Sequence, residues 1–326
     1  MLNQHPAYYY QSIIDHLNSL TGKFGWFSEH YGGKPNGGSS IHTDNKKKMW
    51  QLHNTMKLDA IREEIEKVVT DPIEKSVLLT SLIYAMDKVD SSVGHHVSYL
   101  KEWAPRAYNK MKMSVPNLII DDKPHRVLNS EVFKILDDIE VDLAYFDPPY
   151  GSANELMPPS RVRYASYYHL WKSICLNDKP KVSGAANRRE DVSDVIAGSV
   201  FEEFRKNESG RYLVIDALKN LIDNTKAKYI VLSYNNNGRA TFDSIIEILE
   251  ELNLECSIIE MDYKKNVMAT MAWTNEWIND PDVVEIKNKE FLFLIRKDPT
   301  AESIGSLKMK NVNLSETNIF NQQNLF

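Results

Sequence analysis

The sequence predicts an open α/β sheet carrying a helical insertion, and three observations lead there. Two runs of strand formers, residues 141–146 and 228–234, end abruptly in polar or proline-rich loops, Asp147-Pro148-Pro149-Tyr150 and Asn235-Asn236-Asn237-Gly238. Past the second run, Phe242, Ile245, Ile246, Leu249 and Leu252 mark one face of a helix, followed by strand candidates at 255–261 and 290–296. Strand, helix, strand, with polar loops at the strand ends, is the order of an open sheet. Upstream, the apolar period is helical instead.

Each upstream element has its own signal. Residues 10–20 suit a helix, and 32–40, rich in glycine, read as loop. Leu58, Ile61, Ile65 and Val68 fall on one helix face. Asp71-Pro72 is a cap residue followed by a first-turn proline, so a mostly apolar helix is expected from there to Val89. A third helix is expected over 99–113, with Lys101, Arg106, Lys110 and Lys112 set against Glu102. These readings divide the chain into 1–40, the N-terminal remnant of a catalytic domain; 41–125, a helical recognition region; 126–297, the catalytic domain; and 298–326, a polar Asn-rich tail.

Composition narrows the classes. With 326 residues, 42% of them apolar, a core can form without disulfides or metals. The net charge of −6, from 39 basic and 45 acidic side chains, argues against a generic polyanion binder but permits a local basic face. Cys175 and Cys256 are too few for a disulfide framework or a thiolate zinc site and fit a reducing compartment. His95-His96 has no carboxylate or cysteine at ligand spacing, so no metal is expected. No apolar stretch reaches the roughly 20 residues of a membrane span, and the start lacks a secretory pattern. The expectation is a cytoplasmic protein with no membrane partner.

Chemistry concentrates in Asp147-Pro148-Pro149-Tyr150, because ligands of open α/β sheets gather beyond the carboxyl ends of strands. An Asp carboxylate and a proline carbonyl can each accept one hydrogen of an exocyclic amine. The prolines fix the backbone that aims the carbonyl, and the tyrosine ring offers a stacking face. Two acceptors on one NH2 draw its lone pair out of ring conjugation, so that a methyl group held in line can be attacked by nitrogen. In a duplex the base must first be flipped out. The other reading is a proline-stiffened turn with Tyr150 packed locally.

Asp-Pro-Pro-Tyr after such a strand resembles the signature of DNA amino-methyltransferases. The stretch Leu58 to Glu66, Asp87-Lys88-Val89, Tyr99-Leu100-Lys101, Tyr164 to Leu170, and Leu232-Ser233-Tyr234-Asn235-Asn236 are similar in order to the Dam-like adenine-N6 class. The resemblance covers about residues 1–297. It implies a Rossmann-like methyltransferase sheet and methyl transfer from S-adenosylmethionine to adenine N6 in double-stranded DNA. It also implies a restriction–modification setting with a cognate endonuclease. Asp147, Pro148, Pro149 and Tyr150 would be catalytic, Asp147 also touching the cofactor, and Ser233 and Asn235 would line the base pocket, although an ordinary polar loop explains the latter two equally well.

One departure stands out. The class carries a Phe-x-Gly-x-Gly turn after an N-terminal strand, where glycines let the backbone approach the methyl donor. Thr21-Gly22-Lys23-Phe24-Gly25-Trp26 has glycines but no strand before it, so the donor motif is expected on a separate polypeptide, or the chain is a remnant or has a misassigned start. A subunit that binds DNA but is inactive alone, and a cytosine-N4 or RNA methyltransferase, remain alternatives.

For DNA, residues 161–189 hold Arg161, Arg163, Lys172, Lys179, Lys181, Arg188 and Arg189 against Asp178 alone, interleaved with Tyr164, Tyr167, Tyr168, His169 and Trp171. Cations beside a base pocket would contact phosphates, and aromatics could fill the gap left by the flipped base. The expected contacts are Arg161, Arg163, Tyr164, His169, Arg188 and Arg189, with Lys101 and Arg106 on a second face. A solvated basic loop is the alternative.

Overall fold

The computed structural model describes residues 6–34, 39–41, 45–97, 100–119, 123–151, 164–192, 198–263 and 288–304. In chain order the elements are α1 (Pro6–Ser19), α2 (Trp26–Tyr31), β1 (Gly32–Gly33), β2 (Trp50–Gln51), α3 (Leu52–Val68), α4 (Pro72–Asp87), β3 (Glu140–Phe146), α5 (Tyr164–Tyr167), α6 (His169–Leu176), β4 (Val182–Ser183), β5 (Arg188–Arg189), α7 (Leu213–Asn224), β6 (Lys226–Asn235), α8 (Phe242–Glu251), β7 (Glu255–Tyr263) and β8 (Asn288–Arg296). They form two compact units, one of Met1–Pro124, Ala165–Asp194 and Ser315–Phe326, the other of His125–Tyr164 and Val195–Leu314.

The first unit is helical, and its core collects the apolar face read from the sequence: Leu58, Ile61 and Ile65 of α3 are sealed against Ile14, Leu17, Leu78 and Leu82. Helix α4 starts as its cap predicts, with the Asp71 carboxylate accepting from the Ile73 and Glu74 amides at 2.9 Å. Buried Asp59 of α3 caps α2 from outside, accepting from the Phe27 and Ser28 amides at 3.0 and 2.8 Å. Arg62, 1% exposed, closes the end of α6 by donating to the Ile174 and Cys175 carbonyls at 2.6 and 3.0 Å.

The helix expected over 99–113 does not form: only Pro105–Tyr108 makes a 3-10 turn. Pro105 is the physical reason, since its ring excludes the helical region for the residue before it, and Ala104 is extended at φ −59°, ψ 141°. Trp103, Ala107, Met111 and Met113 are buried nonetheless, so the segment lines the core as a strap. Within the expected loop at 32–40, Gly32 and Gly33 pair in parallel with Trp50 and Gln51.

The second unit is built on a mixed four-stranded sheet in the order β3-β6-β8-β7. β3 and β6 are parallel, Phe146 opposite Leu232; β8 runs antiparallel between β6 and β7. One face presents Ile230, Leu232, Tyr234, Phe291, Phe293 and Ile295 to a core shared with α7 and α8. The other face is less covered among the described residues, and Val141, Leu143 and Tyr145 of β3 remain 38%, 55% and 59% exposed. Helix α7, not among the elements expected from the sequence, carries Val214, Leu218, Leu221 and Ile222 at helical spacing, all buried. The segment expected as a tail begins ordered: Ser303 Oγ and the Ile304 amide donate to Glu255 at 2.6 and 2.9 Å.

A buried imidazole pair contributes to the acid sensitivity of the helical unit. His96 Nδ1 accepts from the Leu170 amide at 3.3 Å, and the His96 and His169 rings lie 5.7 Å apart. Burial, then the Arg188 and Arg189 charges, push His169 down to about 4; burial, then the His169 charge, lower His96. Both are neutral when folded, so the stabilisation is complete above 6.5 and is lost as pH falls from there toward 4. For His169 alone this amounts to about 3 kcal/mol. Denaturant unfolding of His169→Leu is expected to show a shallower loss between those pH values than the wild type.

Candidate functional site

The parallel pairing of β3 and β6 brings two strand ends together, so the residues after Phe146 and Leu232, Asp147 and Ser233, become neighbours. Pro148 is buried, Pro149 and Tyr150 are half-buried, and Asp147 is exposed. The chain turns back so that the Tyr150 hydroxyl donates to Asp147 Oδ1 and lies 3.0 Å from Ser233 Oγ. Ser233, fully buried, in turn donates to Glu290 Oε1 at 2.6 Å. Burial, reinforced by the Asp147 carboxylate, raises the Tyr150 phenol well above the ordinary tyrosine range, so it stays a proton donor.

The tyrosine is held from behind by its own carbonyl, which accepts from the Arg239 amide at 2.7 Å and from Tyr234 Oη at 3.0 Å. Tyr234 Oη also accepts from the Ala240 amide at 3.2 Å, and its burial lifts the phenol to about 12. The two tyrosine rings meet at 4.9 Å and 57°. Gly151 follows at φ +64°, the left-handed turn that takes the chain away from the strand end. Asn235 folds over the Asn237 amide at 3.0 Å, while Asn236 exchanges backbone and side-chain bonds with Lys289 at 3.0 and 3.1 Å. The second loop is thereby tied to β8.

Of the residues singled out from the sequence, Asp147, Pro148, Pro149, Tyr150, Ser233 and Asn235 share this corner of the sheet unit. Tyr164 belongs to the same unit and is 40% exposed, its amide donating to Glu202 at 2.7 Å. Arg161 and Arg163 lie outside the described residues. The remaining DNA candidates lie in the helical unit. His169 is fully buried and Arg189 is 3% exposed, so neither side chain is presented to a phosphate.

Arg189 instead forms a fork with Asp178 at 2.7 and 2.6 Å and a second with Asp191 at 2.9 and 3.1 Å. Lys172 completes this cluster through Asp191 at 2.7 Å. Lys179 faces Glu63 at 3.5 Å, so much of the apparent positive charge is neutralised within the unit. Lys181 and half-buried Arg188 have no ion pair among the described residues. Arg106 is paired with Asp90 and donates to its carbonyl at 3.0 Å, while Lys101 is exposed.

Glu290 and Arg239 are the site residues the sequence reading missed, and Tyr234, within the 232–236 segment, proves to anchor Tyr150. The available signal was a carboxylate opening an apolar strand, Glu290-Phe291-Leu292-Phe293. Its place beside Ser233 follows from the antiparallel register, Asn235 opposite Glu290.

Residues 3–290 match the model of the D12 class N6 adenine-specific DNA methyltransferases. The chain belongs to this family. It is 26% identical over 276 residues to the modification methylase StsI of Streptococcus sanguinis, covering 82% of this chain and 37% of that protein. The modification methylase LlaI of Lactococcus lactis subsp. lactis is 25% identical over 281 residues, 78% of this chain and 42% of the relative. The type II methyltransferase M.NlaIII of Neisseria lactamica is 23% identical over 257 residues, 78% and 68% of the two chains. The chain thus spans about two fifths of the length of the first two. No solved structure matches it.

The family implies a methyl donor, and Gly22, Gly25, Gly151 and Gly238, the glycines of the candidate turns, do not fit a cradle for one. A Cβ at Gly25 would come 2.7 Å from the Asp59 carboxylate, and one at Gly22 3.1 Å from Met56 Cβ, so both glycines serve the approach of α3. At Gly151 a Cβ would come 3.3 Å from Arg239 Cβ, and at Gly238 it would overlap the Tyr234 ring. Gly238→Ala must therefore displace a buried tyrosine that anchors the Tyr150 carbonyl, and is expected to cost about 1–3 kcal/mol in chemical unfolding.

Proposed function

We propose that this chain carries the base-binding half of a site-specific DNA methyltransferase that modifies adenine N6 within a restriction–modification system. The observation that carries this reading is the exposed Asp147 carboxylate at the end of β3, beside a tyrosine whose carbonyl is fixed by two donors. An adenine flipped from the duplex would lay its ring against Tyr150 and give one N6 hydrogen to Asp147 and the other to the Pro148 carbonyl. Ser233 and Asn235 would line the floor and rim of the same pocket. The fork of two acceptors orients the nitrogen before transfer, the kind of positioning from which much of a rate enhancement comes.

The sheet is read as part of a Rossmann-like methyltransferase fold, with residues 41–125 contributing the target-recognition region. Its donor would be S-adenosylmethionine. Since these glycines serve packing, we place that cradle elsewhere, with a strand that extends the sheet beside β3. The outer edge of β3 has no partner strand among the described residues, which supports that placement. A second reading follows from the same observation: a DNA-binding subunit inactive alone. Calorimetric titration with S-adenosylmethionine separates them, because binding by this chain by itself excludes the second.

The restriction setting and a cognate endonuclease rest on relatives described as modification methylases. No helix among the described residues is long and apolar enough to cross a membrane, and a cytoplasmic site of action is part of this proposal. For DNA, Lys101 and Arg188 are proposed as phosphate contacts, together with Arg161 and Arg163.

Asp147→Ala is expected to lower adenine methylation on the order of a hundredfold or more while leaving DNA affinity nearly unchanged. Mass spectrometry of nucleosides from DNA of expressing cells, together with a gel-shift titration, checks both halves; normal N6-methyladenine in the variant would overturn the assigned role. Lys101→Ala and Arg188→Ala are each expected to weaken binding uniformly across sequences and reduce the salt slope by about one, read from affinity against salt concentration.

A further inference from the structure

Asp147, Tyr150, Ser233 and Glu290 form one file of hydrogen-bonding groups, reaching from the exposed strand end of β3 across β6 to β8. Its two ends are carboxylates and its two middle members are hydroxyls. With both carboxylates ionised there are three links and two protons to fill them, so one link is always without a proton. Two arrangements keep Ser233 donating to Glu290. In the first, the Tyr150 hydroxyl donates to Asp147 and the 3.0 Å contact between Tyr150 and Ser233 is a bare oxygen pair. In the second, the Tyr150 hydroxyl turns to Ser233, and both Asp147 oxygens are released.

The difference matters to an incoming amine. A phenol donated to Oδ1 occupies one carboxylate oxygen and withdraws charge from the other, which weakens the acceptor that must hold the N6 hydrogen. Turning the phenol away restores it, but only if Ser233 Oγ can accept. That requires the Ser233 proton to be engaged elsewhere, and Glu290 Oε1, 2.6 Å from Ser233 Oγ, is the group that engages it. Without that carboxylate the Ser233 hydroxyl donates to Tyr150, and the tyrosine proton is confined to Asp147.

We infer that Glu290 is a positioning residue: by taking the Ser233 proton it makes Ser233 an acceptor for Tyr150, and so frees the Asp147 carboxylate for the target amine. No proton leaves the file; one hydroxyl rotates between two acceptors. This rests on the reading of Asp147 as an amine acceptor.

The test compares short single-stranded oligothymidylates carrying one adenine or one purine, which lacks only the amine, by fluorescence anisotropy with the full chain. The wild type is expected to prefer adenine on the order of tenfold, the range of one charge-assisted hydrogen bond. Glu290→Ala and Ser233→Ala should each bring that preference close to unity, with unfolding midpoints recorded alongside to verify folding. Tyr150→Phe removes the competing phenol while keeping the ring, so in that background Glu290→Ala should leave the preference unchanged. Were Glu290→Ala to keep the preference, or to lower it equally with Phe at position 150, the relay through Tyr150 would be overturned while the base-binding reading survived. A wild type that does not distinguish adenine from purine would overturn the base-binding reading itself, and the role of Glu290 with it.

Discussion

The parallel pairing of β3 with β6, Phe146 opposite Leu232, is the constraint on which the site depends. Because both strands run the same way, their last residues emerge at one end of the sheet. A carboxylate and a hydroxyl separated by 86 positions in the chain thereby come within reach of one tyrosine. An antiparallel pair would have sent the two loops to opposite ends. The prolines then restrict the backbone after β3, and the Tyr150 carbonyl, caught between the Arg239 amide and Tyr234 Oη, fixes where the ring stands.

Behind that corner, the packing is asymmetric. One sheet face is sealed by α7 and α8 around Ile230, Leu232, Phe293 and Ile295, which supplies rigidity. Ser233, Asn235 and Glu290 belong to the opposite face, where alternate residues of β6 and β8 point away from those helices. The polar chemistry of the site is thus kept out of the apolar core by the period of two along each strand. Ser233 is nonetheless fully buried, because Tyr150 and Glu290 cover it and supply its hydrogen bonds.

Charge shows how composition along a chain misleads about surfaces. Residues 161–189 look like a phosphate-binding ribbon when their cations are counted in sequence. Folding places Arg189 between Asp178 and Asp191, and Lys179 near Glu63, so part of that charge is spent on holding the helical unit together. Asp191 lies only two residues past the stretch that was counted, and Glu63 lies over a hundred residues away. A buried guanidinium must be matched where it sits, whichever part of the chain supplies the carboxylate.

Much of the fold was legible because its signals are local. Asp71-Pro72 caps its helix through atoms two and three residues away, and Leu58, Ile61 and Ile65 share a face by helical geometry alone. The strand before Asp147 and the chemistry of Asp-Pro-Pro-Tyr could also be read directly, since proline stiffness and carboxylate acceptance belong to the residues themselves. Pro105 is equally local, and it is the reason that a strap forms where a helix is expected. What only tertiary structure decided is the company each residue keeps. Glu290 joins the site through strand register, Tyr234 through the turn that brings Ala240 back, and His169 loses solvent through packing between elements. Register and burial depend on contacts between distant segments, and no window along the chain contains both partners.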